Sequence, residues 1–163
     1  MRFDVNDAGL RHLFLGSALP LALAQLAPGR APRWGRMTAQ QMVEHLLWSF
    51  EVSTGRTRVA CPVPEERRPA LRAFLHHDRP TPQGFMNPLL EEGLPALRFS
   101  QISEAVAVLS LEVERFLEQV VTSPGAVHTH PVFGPIGVEE WSRAHFKHCC
   151  HHLLQFRLIE VDD

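Results

Sequence analysis

The sequence has no tyrosine in 163 residues, so no phenol can serve as acid, base or nucleophile. It has no excess of positive charge. Sixteen basic and 18 acidic side chains leave a formal net charge of −2, whereas a nucleic-acid binder carries a basic face. Basic residues cluster only at Glu65-Glu66-Arg67-Arg68, where the sign alternates. No apolar run approaches the roughly 18–20 residues of a membrane span. Cysteine is scarce: Cys61, Cys149 and Cys150 make an odd number, and two are adjacent. Neighbouring cysteines rarely bridge, because the geometry strains the peptide between them. A reducing, cytoplasmic setting therefore fits better than a disulfide framework.

Histidine is plentiful, with ten residues, and 45% of the chain is hydrophobic. That length and apolar content predict one domain with a real core. Leu13 to Ala24 is apolar and ends on small residues. Asp4 and Asp7 accompany Arg2 and Arg11 ahead of it, so the segment reads as a first helix rather than a secretory leader.

The hydrophobic pattern predicts four long helices. The first covers about 7–15 and 17–27, broken or kinked at Gly16 and Pro20. The second starts at Thr38, which forms a capping box with Gln41, and places Met42, His45, Trp48, Ser49 and Val52 on one face. Residues 54–99 contain seven prolines and one short helix at about 66–77. Such a long connection is a lid or site wall, or else a surface crossover without a role. The third helix spans about 101–122 with a broad apolar stripe. A loop covers 125–137, and the fourth helix runs from Val138 to about Arg157, with Glu139 and Glu140 in its first turn. Residues 158–161 read as a short strand or an extended tail. Together these elements predict an all-α four-helix bundle with a long connection between helices 2 and 3.

The fourth helix carries His145, His148, His151 and His152. At about 100° per residue, His152 lies about 40° from His148, with Trp141 and Gln155 within about 20° of it. Two imidazoles at i and i+4 can hold one divalent ion, and His45 on the core side of the second helix is the natural third ligand. Three histidines leave coordination positions open for water or substrate, and zinc, nickel and ferrous iron all accept imidazole. Gln155 can orient a ligand or fix an imidazole tautomer. Trp141 and Trp48 are wall residues of a pocket or plain core residues. His145 and His151 read as surface residues or supports to the ligands; His76, His77, His128 and His130 read as solvated or turn residues. Cys149 and Cys150 read as small packing residues, with redox activity as the alternative. No carboxylate falls on the His148/His152 face, so a bound metal would itself be the activating group.

Residues 34–42 (WGRMTAQQM) leading to His45, then His130-Pro131-Val132-Phe133-Gly134, Trp141, and HCCHHLLQF at 148–156 resemble the DinB/YfiT-like superfamily of four-helix metal-binding proteins. The nearest likeness is to a DinB-like branch of uncharacterised bacterial proteins. The matching pieces lie at both ends of the chain in the expected order. The resemblance implies a DinB-type bundle with metal ligands at His45, His148 and His152, the set reached from the helical faces. It also implies a homodimer. The superfamily includes thiol-dependent transferases and isomerases that use low-molecular-weight thiols, and many members without known activity. Two functions follow as expectations. One is an enzyme that activates a small thiol or water at the metal; the other is a non-catalytic bundle that binds a metal or small ligand, or a protein partner.

Overall fold

The structure is a computed structural model and describes residues 1–84 and 93–162. It is mostly helical, with one small two-stranded sheet. Helices α1 (Ala8–Leu13) and α2 (Leu19–Leu23) are joined by a π-helical turn, Phe14–Ala18. The expected break at Gly16 and Pro20 is thus a widening within one helical run. Pro20 has no N–H to donate and its ring would crowd the carbonyl four residues back; the π turn makes room. Leu19 N–H bonds back to Phe14 O.

Helix α3 (Ala39–Ser53) begins at the expected capping box. Thr38 Oγ1 accepts from Gln41 N at 3.2 Å, and Gln41 Oε1 accepts from Thr38 N at 2.8 Å. Helix α4 (Arg68–Ala73) lies between two 3₁₀ turns, within the stretch expected to hold one short helix. Helices α5 (Ile102–Thr122) and α6 (Val138–Gln155) complete the scaffold. Residues 158–162 form no strand; they lie beside the N-terminus, where Asp162 N–H bonds to Met1 O at 3.1 Å.

The expected loop at 125–137 is instead an antiparallel hairpin of β1 (Val127–His130) and β2 (Gly134–Gly137). The chain is therefore not wholly α. Pro131 and Pro135 argue against strands, but a two-stranded sheet has only edges, where proline is tolerated. Pro135 sits opposite Thr129 in the register. His130 Nδ1 accepts from the backbone N–H of Val132 and Phe133 at 3.0 and 3.3 Å, so its side chain closes the turn.

One continuous core joins the helices. Leu46, Leu47 and Phe50 of α3 meet Leu109, Val113 and Phe116 of α5 and Phe146, Cys149 and Leu153 of α6, all buried. Arg11 is only 1% exposed. It donates to Val5 O at 2.6 Å and Ser142 Oγ at 3.1 Å and pairs with Glu139, fixing α1 to α6.

The long connection is fastened at both ends. Lys147, 2% exposed, donates to His77 O and Arg79 O and lies 4.2 Å from the Phe74 ring centre. Arg72 donates to Phe133 O at 2.7 Å and Pro135 O at 2.9 Å. On the return, Arg98 forks onto Glu51 at 2.8 and 2.9 Å, and Glu44 accepts from Arg98 N at 2.7 Å. Residues 85–92 of this connection lie outside the described residues. No helix among the described residues is long and apolar enough to cross a membrane.

Because the α3 start depends on reciprocal capping, Thr38→Ala should lower unfolding free energy by about 1 kcal/mol. Urea denaturation should show this as a lower midpoint with an unchanged slope.

Candidate metal centre

Helix α3 turns Gln41, His45, Trp48, Ser49 and Val52 towards a cavity, while Met42, Leu46 and Phe50 enter the core. Helix α6 faces the same cavity with Trp141, Ala144, His148, His152 and Gln155. The expected shared face of α6 is therefore present, and it meets the His45 face of α3.

The three imidazoles converge through Nε2. His45 and His148 approach to 2.9 Å, and His148 and His152 to 3.1 Å. The ligand atoms of all three lie within 4.8 Å of one another. Two nitrogens held by one tetrahedral zinc at ~2.05 Å are about 3.3 Å apart. The two close pairs would open slightly, and His45 and His152 would draw together, to share one ion.

Gln155 determines what His152 offers. Its Nε2 donates to Trp34 O at 2.8 Å, which leaves Oε1 facing His152 Nδ1 at 2.8 Å. A carbonyl oxygen only accepts, so His152 carries its proton on Nδ1 and presents a lone pair at Nε2. The expected tautomer-fixing role is what this geometry allows. At His148, a proton or a cation must then lie against the His152 lone pair.

Burial keeps these rings neutral, the form that ligates. It lowers His45 to about 4, with a smaller contribution from His151. Burial pushes His148 and His152 well below the ordinary histidine range, and neighbouring imidazoles add to the effect.

The cavity is about 790 Å³, within the span typical of small-molecule sites. Trp48 is half-buried and stacks on His45, with ring centres 6.2 Å apart. Trp141 is 1% exposed, donates from Nε1 to His128 O at 3.1 Å, and lines the cavity as well. Both roles weighed for these tryptophans are present at once. Phe74, Leu75, Thr81, Gly84, Gly93 and Leu94 also line it, so the long connection is a site wall. No Asp, Glu or Cys stands among the described lining residues.

Several histidines lie elsewhere than expected. His145 is not at the surface: it is 1% exposed, stacks 3.7 Å from Phe50, and contacts Ser53 Oγ at 2.7 Å. His151 is buried and donates from Nδ1 to Thr81 O at 3.2 Å. His130 is a turn residue as expected, but it also lines the cavity and lies 4.8 Å from Trp141. Its signal was hidden by Pro131, which marks a loop without showing which way the ring turns. Cys149 and Cys150 are buried free thiols, and burial raises both pKa values, so they pack rather than react.

No family model, curated protein or solved structure matches the chain. The class of the site is therefore defined by its own geometry: a three-imidazole cluster on the wall of a largely apolar cavity.

A thiol titration of native protein should register fast reaction of half-buried Cys61 alone, with all three thiols reacting after denaturation. Fast reaction of two thiols in the native state would contradict the packing role. Burial also lowers His130 from 6.5 to about 3. The unfolded chain binds that proton first as pH falls, so stability is full above 6.5 and drops towards pH 3. In His130→Asn, whose side chain can still accept at the turn, urea midpoints should fall less steeply with acid than in the natural chain. Equal slopes would contradict the assignment.

Proposed function

We propose that this chain is a DinB/YfiT-like four-helix protein that holds a divalent metal on His45, His148 and His152. We further propose that it works as a metal- and thiol-dependent transferase on small molecules. The four helices would be the run through α1 and α2, then α3, α5 and α6, with the hairpin and the long connection as additions. One observation carries the metal reading: three neutral imidazoles, His152 buried and His45 and His148 partly so, converge through Nε2, and Gln155 holds one of them in the ligating tautomer. Zinc, nickel and ferrous iron all suit this donor set.

When bound, the metal supplies positive charge that lowers the pKa of a small thiol. The chain's own residues bind and orient. His45, Trp48, Trp141 and Phe133 all line the cavity, with His45 stacked on Trp48. The apolar lining excludes water and favours a substrate with an apolar body. A second reading, a non-catalytic ligand-binding bundle, is favoured by one feature. A single proton on His148 Nε2 can serve both neighbours, so the cluster can close without metal.

Metal analysis of protein purified without a histidine tag tests this. One ion per chain is expected, lost in His148→Ala. Transfer assays with several small thiols should then show activity that a chelator abolishes. Metal content unchanged by His148→Ala would overturn the ligand set; a metal-free chain that still binds ligands would favour the second reading.

A further inference from the structure

Gln155 is the last residue of α6, and it is gripped by a turn that precedes α3. Arg33 N–H donates to the Gln155 backbone carbonyl at 2.7 Å, and the Gln155 side-chain amide donates to Trp34 O at 2.8 Å. The Trp34 ring also packs edge-on against His151, with centres 5.6 Å apart. Between these contacts stands Gly35, with φ +77°. A Cβ there would lie 2.9 Å from Gln155 Nε2, closer than such contacts allow. Any other residue would be strained in backbone and would push on the amide that reads the Trp34 carbonyl.

This contact has a direction. The Trp34 carbonyl can only accept, so it selects which end of the Gln155 amide turns outward. The other end, Oε1, must then accept from His152 Nδ1. The choice passes from a backbone carbonyl through one amide to one imidazole.

We infer that the Trp34–Gly35 turn is a positioning element of the histidine cluster, setting the tautomer and ring angle of His152 through Gln155. Metal affinity accordingly depends on Gly35, a residue that touches no metal. This rests on the metal reading above, but its first test does not.

That first test is long-range proton–nitrogen NMR of the metal-free protein. It should show His152 protonated at Nδ1 in the natural chain and a mixture of tautomers in Gly35→Ala and in Gln155→Leu. The second is zinc affinity by competition with a chromogenic chelator. Both variants should bind zinc about ten- to a hundredfold more weakly. Gln155→Glu retains an acceptor for His152 Nδ1 but cannot donate to the Trp34 carbonyl, so it should keep the Nδ1-protonated tautomer without restoring the full zinc affinity. Circular dichroism and melting of the metal-free variants separate a local effect from unfolding, and Gln155→Leu leaves the Gly35 backbone untouched. Natural tautomer and natural zinc affinity in Gly35→Ala and Gln155→Leu would overturn the inference. If the natural chain binds no zinc, the metal reading fails; the NMR comparison alone then decides this one.

Discussion

The structure depends on bringing three imidazoles from two helices together: His148 Nε2 lies 2.9 Å from His45 Nε2 and 3.1 Å from His152 Nε2, and the rings are partly or wholly withdrawn from water. Burial keeps the rings uncharged. The Gln155 contact makes His152 offer a lone pair, and lone pairs at this distance repel unless a proton or a cation lies between them. Either the Nε2 proton of a neutral His148 or a cation meets that requirement. Few residues can be moved without losing the cluster: α3 must start at Thr38 and α6 must end against Trp34.

The rest of the molecule holds those two helices in register. Phe50 and Phe116 pack edge-on, 5.8 Å apart, and hold α3 to α5. His145 lies between Phe50 and Trp141 and extends the aromatic layer into α6. The long connection would otherwise be a floppy crossover. Its backbone carbonyls are instead tied to buried Lys147, and its return is tied to two glutamates of α3. Burial lowers Lys147 to about 8, which is consistent with an ammonium held by carbonyls rather than by a carboxylate. These ties hold the connection where its residues line the cavity with the histidines.

Much of this was legible in the sequence because it follows helical periodicity. The α3 capping box, the long apolar stripe of α5, and the shared face of His148, His152, Trp141 and Gln155 all repeat at intervals of three or four residues. Pairing His45 with them needed only the inference that a histidine on a core-facing stripe meets another helix. The hairpin was not legible, because its strands have only four residues each, β2 and the turn contain proline, and the turn is closed by a histidine side chain. The inward turn of His145 was missed for another reason. At the edge of a helical face, the packing of Phe50 and Ser53 from a different helix decides the direction, and no local pattern records it. The role of Gly35 was not legible, since its partner lies 120 positions away in the chain.

We propose that His45, His148 and His152 hold one metal ion together. Anomalous diffraction from crystals of metal-loaded protein, recorded on both sides of the metal's absorption edge, tests it most directly. A single strong peak is expected about 2.0–2.2 Å from the three Nε2 atoms. A peak at other residues, or none between these three rings in protein shown to carry metal, would contradict it.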